Sequence, residues 1–262
     1  IEIDKNLKES YESTFKNSKF FTNKEMNNVL RARTLIDELS YKDQTLADYV
    51  TVAVLASLIP TSLLIRAGDL RYKTPRDMAR LFPLEYHLRN KLSEIVADLK
   101  MMNSATSYFK PLLVCENAAD LSKIHNLEVD TVITSPPYAN GTNYFRNTKL
   151  ELWFLRCLNS KDDLKSLRMR AVTAGINDVQ KNKYPKKLHI DELSCIIKKL
   201  EEKAYDRRIP KLIECYFSDL HSVFKAITER HVLNDGVIAI DIGDSIFAGV
   251  KVPTDEILSR IF

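Results

Sequence analysis

A β-branched, apolar run, VDTVITS at residues 129–135, ends against two consecutive prolines, Pro136 and Pro137. No other stretch limits so tightly what the chain can fold into. Proline fixes φ and carries no backbone N–H, so the pair can neither continue a central strand nor open a helix smoothly. The residue before each proline is pushed toward extended backbone as well. The run therefore reads as a strand that stops in a stiff elbow, Thr134-Ser135-Pro136-Pro137-Tyr138, whose carbonyls have no regular partners.

Two more runs share its character. PLLVC at 111–115 and GVIAIDIG at 236–243 are short and apolar without alternation, the pattern of strands covered on both faces. IEID at 1–4 alternates and reads as the end of a further strand. Helical patterns lie between. Thr22-Asn23-Lys24-Glu25 fits a capping box, followed by Met26, Val29, Leu30, Leu35, Ile36 and Leu39 near helical spacing. A second box, Thr45 to Asp48, opens TLADYVTVAVLASLI, which Pro60 closes. Thr74-Pro75 and Pro83-Leu84 look like two further helix starts, so residues 21–108 read as a helical block. NTKLELWFLRCL at 147–158 and IPKLIECYFSDLHSVFKAITERHVL at 209–233 also look helical, with Leu150, Leu152, Trp153 and Leu155 as core positions. Strands separated by helices predict an α/β fold with a doubly wound sheet, whose ligands sit at the carboxyl ends of the strands. Ser135 and Tyr138 lie at such an end.

The net charge of +4 is less informative than its distribution. Residues 161–211 hold 14 Lys/Arg against 8 Asp/Glu, a local excess of +6 that leaves −2 for the rest. Such a block suits either a solvated helical insertion or a surface that faces a polyanion. The four cysteines, Cys115, Cys157, Cys195 and Cys215, form no C-x-x-C pair and have no His at ligand spacing, so neither a disulfide framework nor a metal site is expected. No signal peptide or membrane-spanning apolar run is seen, which fits a cytoplasmic protein. The first residue is Ile1, and the chain reads as a piece of a longer protein.

The elbow resembles the catalytic Ser/Asp/Asn-Pro-Pro-Tyr motif of S-adenosylmethionine-dependent amino-methyltransferases. In that family the resemblance implies that Ser135, Pro136, Pro137 and Tyr138 are catalytic. An exocyclic amino group is a poor nucleophile because its lone pair is delocalised into the base. The Ser135 hydroxyl and the Pro136 carbonyl would accept its two N–H bonds and stabilise the positive charge that develops as the methyl arrives. Tyr138 would stack on an extruded base. The same four residues also suit a plain strand-ending turn. VCENAADL at 114–121 resembles the family's V-x-G-D-A-x-D-L segment, with Glu116 in place of Gly and Asn117 in place of Asp. Asn117, Ala118 and Thr134 are the implied cofactor contacts there. Glu2, and less closely Asp4, falls where the family places the carboxylate that grips the cofactor ribose. HVLNDGVIAIDIGDSIF at 231–247 resembles the family's late strand, with Gly243-Asp244-Ser245 after it.

The family's glycine-rich cofactor loop has no counterpart among the six glycines, at 68, 141, 175, 236, 243 and 249. An upstream segment or a second subunit is expected to carry it. The resemblance covers 1–4 and 109–262 and implies a Rossmann-like class I methyltransferase sheet truncated at both ends. Residues 21–108 would form an insertion, 109–158 and 211–262 the catalytic core, and 159–210 a basic target-recognition insertion. ANGTNYFRNTKLELWFL resembles a DNA-modifying subgroup, implying that Asn140, Tyr144, Arg146 and Lys149 contact the flipped strand. Arg168 and Arg170 would neutralise phosphates of double-stranded DNA. Serine at the first motif position favours cytosine N4 over adenine N6, in restriction–modification or defence. RNA or protein methylation, and a non-catalytic nucleic-acid-binding half of a split enzyme, stay open beside it.

Overall fold

The computed structural model describes residues 1–102, 112–114, 117–139, 144–181 and 184–262, and the chain divides into two compact units. The first comprises residues 1–111 and 144–167, the second 112–143 and 168–262.

The first unit is helical around an aromatic core. Asp4 ends the opening segment by accepting a hydrogen bond from Leu7 N at 2.8 Å, which starts α1 (Lys5–Phe15). Residues 1–4 are therefore a helix cap and not the end of a strand. Leu7, Tyr11 and Phe15 recur every four residues and bury one face of α1. The Tyr11 hydroxyl donates to Ser18 O and accepts from Phe20 N, both at 2.9 Å, so it pins the loop that follows. α2 (Asn23–Ser40) begins with the expected Thr22 cap, but the Glu25 carboxylate accepts from Leu84 N rather than closing the box. α3 (Gln44–Thr61) is capped by Asp43, not Thr45, and holds Pro60 in its last turn. A hairpin that the sequence reading did not anticipate follows, β1 (Leu64–Ala67) and β2 (Asp69–Tyr72), turning at Gly68 with φ +77°. α4 (Pro75–Met78) carries a reciprocal capping box between Thr74 and Asp77, and α5 (Leu84–Met102) starts after Pro83. α6 (Tyr144–Asn147) and α7 (Lys149–Phe154) complete the unit, and α8 (Lys161–Arg170) begins in it. Trp153 of α7 is fully buried, and its indole N–H donates to Leu7 O at 3.0 Å and to Ser10 Oγ at 3.1 Å. Leu150 and Trp153 are core as expected, whereas Leu155 is exposed and Phe154 and Leu158 are buried.

In the second unit, β3 (Val129–Thr134) and β4 (Val232–Ile240) form a parallel pair. α9 (Asp191–Lys203) and α10 (Ile209–Arg230) pack together through Leu193, Ile196, Leu200, Leu212, Tyr216, Phe217 and Leu220. Ile238 and Ile240 of β4 and Ile242 beyond it pack against this cluster. β5 (Ser245–Phe247) and β6 (Val250–Val252) make a second hairpin, and α11 (Thr254–Ile261) ends the chain. The two-residue turn has positive φ at both Ala248 and Gly249, as a tight hairpin of right-handed twist requires. The register of the parallel pair jumps from Val129 opposite Val232 to Thr131 opposite Val237. Residues 233–236 thus bulge, and Gly236 lies in the bulge against Asp130 O, where a Cβ would come within 3.1 Å.

The fold is mixed α/β, as expected, but no doubly wound sheet forms among the described residues, whose strands make one parallel pair and two hairpins. The expected strand at 111–115 is not formed in its described part, where residues 112–114 adopt no regular element and Leu113 is 93% exposed. β3 and β4 are also not covered on both faces. Ile133 is 83% and Val237 61% exposed, so burial alternates along the strands. The physical reason is shared: these apolar runs suit a sheet with helices laid on both faces, and among the described residues only one side of β3 and β4 is packed against helices. Among the described residues no helix is long and apolar enough to cross a membrane.

Candidate active site

The elbow lies at the carboxyl end of β3, immediately after Thr134 pairs with Ile240. The ladder continues for one further bond, from Asp241 N to Thr134 O at 2.9 Å. The prolines then stop it. Pro136 and Ala139 are buried and anchor the turn, with Ala139 in the second unit's core cluster, while Ser135 is exposed. Ser135 Oγ donates to the Tyr138 hydroxyl at 3.4 Å, and that hydroxyl donates to Asp241 Oδ2 at 3.4 Å. Both bonds are long, and the first holds the Ser135 hydroxyl only loosely. The Pro136 carbonyl makes no hydrogen bond among the described residues. Two acceptors on a proline-stiffened backbone thus stand beside an aromatic ring at a strand end. Asp241 was not singled out from the sequence. Its one available signal was its place at the end of the GVIAIDIG run, which the parallel register sets beside Thr134.

The expected donor-binding residues fall in both units. Glu2 and Asp4 belong to the first unit, Asn117, Ala118 and Thr134 to the second. Glu2 lines a shallow hollow of about 360 Å³ with Ile1, Ile3, Asn27 and Arg31. Asp4 is committed elsewhere: it caps α1 and pairs with Arg156, which also pairs with Asp37. Asn117 turns its Oδ1 back to Ala119 N at 3.1 Å, a local turn bond, and Asn117 and Ala118 are exposed. Asp4 and Asn117 thus make local bonds where they stand, and Glu2 lines its hollow. Asp244, in the expected Gly-Asp-Ser turn, accepts from Thr254 N and pairs with Lys251 at 2.9 Å, which holds its carboxyl below the ordinary range. Its observed work is to fasten the β5–β6 hairpin to α11.

Of the expected nucleic-acid contacts, Asn140 lies outside the described residues. Tyr144 is exposed on α6, and Arg146 is exposed but pairs with Asp69 at 3.1 Å. Lys149 is half-buried, with its ammonium 4.0 Å from the Phe20 ring centroid. Burial, aided by the nearby Arg146 charge, pushes its pKa down to about 8. Packed on a core aromatic, Lys149 is poorly placed for a phosphate. Arg168 is half-buried and Arg170 exposed at the end of α8. The basic block runs through α8, a 3₁₀ turn at Ile176–Asp178 and α9. A hollow of about 510 Å³ within it is lined by Lys186, Lys187 and Lys198 but also by Glu201 and Glu214. Among the described residues no group of His, Cys, Asp and Glu could hold a metal ion.

No family model and no solved structure matches the chain. Two curated relatives do, both named Type II methyltransferase M.AvaI, one from Nostoc sp. (strain PCC 7120) and one from Anabaena variabilis. Each is 30% identical over 145 residues, half of this chain and 29% of the relative. The chain thus spans under a third of the length of the relatives it matches, and across the matched half it is similar to a methyltransferase of the type II class.

Proposed function

We propose that this chain is the elbow-bearing part of a DNA methyltransferase of restriction–modification or defence. It would act on an exocyclic amino group, cytosine N4 ahead of adenine N6, with S-adenosylmethionine as methyl donor. The observation that carries the proposal is the elbow: an exposed Ser135, and a Pro136 carbonyl that makes no hydrogen bond among the described residues, at the end of β3. The similarity to type II methyltransferases supports it from the sequence side. In this reading Ser135 and Pro136 accept the two N–H bonds of the amino group. They lower the energy of the cationic nitrogen formed as it takes a methyl, before its proton leaves. Pro137 keeps the acceptors rigid, and Tyr138 supplies the stacking face.

The donor's site would need a segment outside these residues. Asp4 and Asn117 are otherwise engaged, and the exposed β3–β4 face is apolar surface that such a segment could cover. The test is methyl transfer to duplex DNA by protein that carries such a segment with a glycine-rich loop, with the modified nucleoside identified by mass spectrometry. Ser135→Ala is expected to slow transfer ~10²–10³-fold, by analogy with the loss of one oxyanion-hole donor. DNA affinity should change little, because phosphate contacts supply most of it. N6-methyladenine as product would keep the mechanism and overturn the base. Full activity in Ser135→Ala would reduce the elbow to punctuation. The engaged Asp4 and Asn117 favour a second reading, a non-catalytic nucleic-acid-binding half of a split enzyme. Tight DNA binding with no transfer in the supplemented protein would select it.

A further inference from the structure

The first unit carries a surface that the elbow reading does not use. The stretch 71–89, RYKTPRDMARLFPLEYHLR, interleaves arginines with aromatics. Phe82 and Tyr86 stack on each other, with ring centroids 4.5 Å apart and planes at 27°. Although each covers a face of the other, they remain 44% and 47% exposed. Tyr86 also meets the His87 ring edge-on at 5.4 Å. Phe82 precedes α5 by two residues and also meets the His87 ring edge-on at 6.2 Å, the contact of a hydrophobic staple. A staple accounts for Phe82 against His87. It does not account for two large rings stacked on each other while both stay close to half exposed.

The charges around the pair are unevenly satisfied. Residues 66–91 contain seven Lys/Arg and three Asp/Glu. All three carboxylates already have guanidinium partners: Asp69 pairs with Arg146, Asp77 with Arg71, and Glu85 with Arg89. Lys73 is turned inward, donating to Pro60 O at 2.7 Å and Ser62 O at 2.6 Å. Arg76 and Arg80, six and two residues before Phe82, are exposed and make no side-chain bond or ion pair among the described residues. Two uncompensated guanidinia close in sequence to a half-exposed aromatic stack suit a ligand with both negative charge and flat, unpaired rings.

We propose that this α4–α5 surface binds single-stranded nucleic acid, an unpaired base stacking on the Phe82–Tyr86 pair while Arg76 and Arg80 neutralise adjoining phosphates. Base–aromatic stacking is open to any unpaired base, and a duplex hides its base faces in its own stack. Arginine at the edge of such a platform adds charge without needing a specific sequence. The site lies in the unit that does not contain the elbow, so it stands or falls without methyl transfer.

The experiment is fluorescence anisotropy of the 262-residue chain with a labelled 20-nucleotide oligothymidine and with a duplex of equal length, over a range of salt. The single strand should bind more tightly than the duplex. Arg76→Ala with Arg80→Ala should reduce the slope of log affinity against log salt by about 1.4, two phosphates' worth on a single strand. Phe82→Leu with Tyr86→Leu keeps an apolar staple but removes the stacking faces. It should weaken binding about tenfold with the slope unchanged. Unchanged affinity in the leucine pair with its helical signal intact would overturn the stacking site. So would a melting temperature lowered while oligothymidine binding is unaltered, which would leave the pair as a helix staple. An unaltered salt slope in the arginine pair would remove the phosphate contacts.

Discussion

The two units treat their large apolar side chains in opposite ways. In the first, Trp153, Tyr11, Phe15 and Phe20 meet edge to face, with centroids 5.0–6.4 Å apart, and each buried polar atom of Trp153 and Tyr11 has a partner. In the second, α10 is buried along one side by Leu212, Tyr216, Phe217 and Leu220, yet β3 and β4 turn Ile133 and Val237 to water. Parallel strands are ordinarily covered on both faces because their crossover connections lay helices on each side. The first unit has the burial of a finished core. The second has one finished side and one that awaits cover.

The largest expected effects lie where each core is closed. Trp153→Ala empties the space between α1 and α7 and strips Leu7 O of a donor, and should cost ~3–5 kcal/mol. Leu220→Ala should cost ~2–5 kcal/mol in the second unit, where Leu220 is fully buried. Urea denaturation followed by circular dichroism measures both. A cost under ~1 kcal/mol for Leu220→Ala would mean that the second unit is loosely packed throughout, and the contrast between its two sides would fail. Gly236→Ala comes next. Its Cβ would meet Val232 Cγ1 at 2.5 Å and the carbonyls of Leu233 and Asp130 at 3.0 and 3.1 Å. Overpacking of this kind costs ~1–3 kcal/mol, and the same denaturation curves report it. A neutral Gly236→Ala would show that the bulge shifts freely.

How far the sequence reached follows the same division. Helices with their own caps and periodic apolar faces were legible: Thr22, Thr74 and the 209–230 stretch behave as local chemistry dictates. The strand ending at Pro136 was legible because two prolines leave little choice. Residues 1–4 misled because a short alternating run suits a strand end, yet Asp4 is also a good helix cap, and capping won. The 64–72 hairpin was missed because Gly68 sits among charged residues without paired turn signals. Lys149 was unreadable as a core-packed lysine, since its contact with Phe20 joins residues distant in sequence. Residues 112–114 and the strand pair failed differently. Their composition fits a buried sheet, and cover, which no composition supplies, is what they lack.

Lys149 gives the first unit a pH test. Its pKa is lowered to about 8 in the folded chain, so between there and its ordinary 10.5 the unfolded chain holds more protons. Stability from this group is therefore reduced below pH 8 and recovers as pH rises toward 10.5. Tyr11 acts oppositely above pH 10, because burial raises it to about 12 and the folded chain then holds the extra proton. The clean window is pH 8 to 10. Lys149→Met should raise the melting temperature at pH 7, with the gain shrinking across that window. A gain independent of pH would assign the effect to packing alone, and a loss would mean that the contact with Phe20 outweighs the burial of charge.

The smallest expected effect bears most directly on the contrast between the units. Ile133→Thr changes a side chain that is 83% exposed, on the strand that leads to the elbow. Threonine keeps the β-branch that suits a strand, so the chain alone should lose no more than ~0.5 kcal/mol. The same holds for Val237→Thr. If a further segment covers this face, as the proposed donor-binding part would, both positions become buried. Each substitution should then cost ~1–3 kcal/mol, since the removed apolar surface no longer faces water. The measurement is denaturation of the two variants in the 262-residue chain and in protein carrying the added segment. A cost that appears only with the segment places it on the β3–β4 face. Equal, near-zero costs in both would mean that the segment docks elsewhere, and that the open side of the second unit is simply tolerated apolar surface.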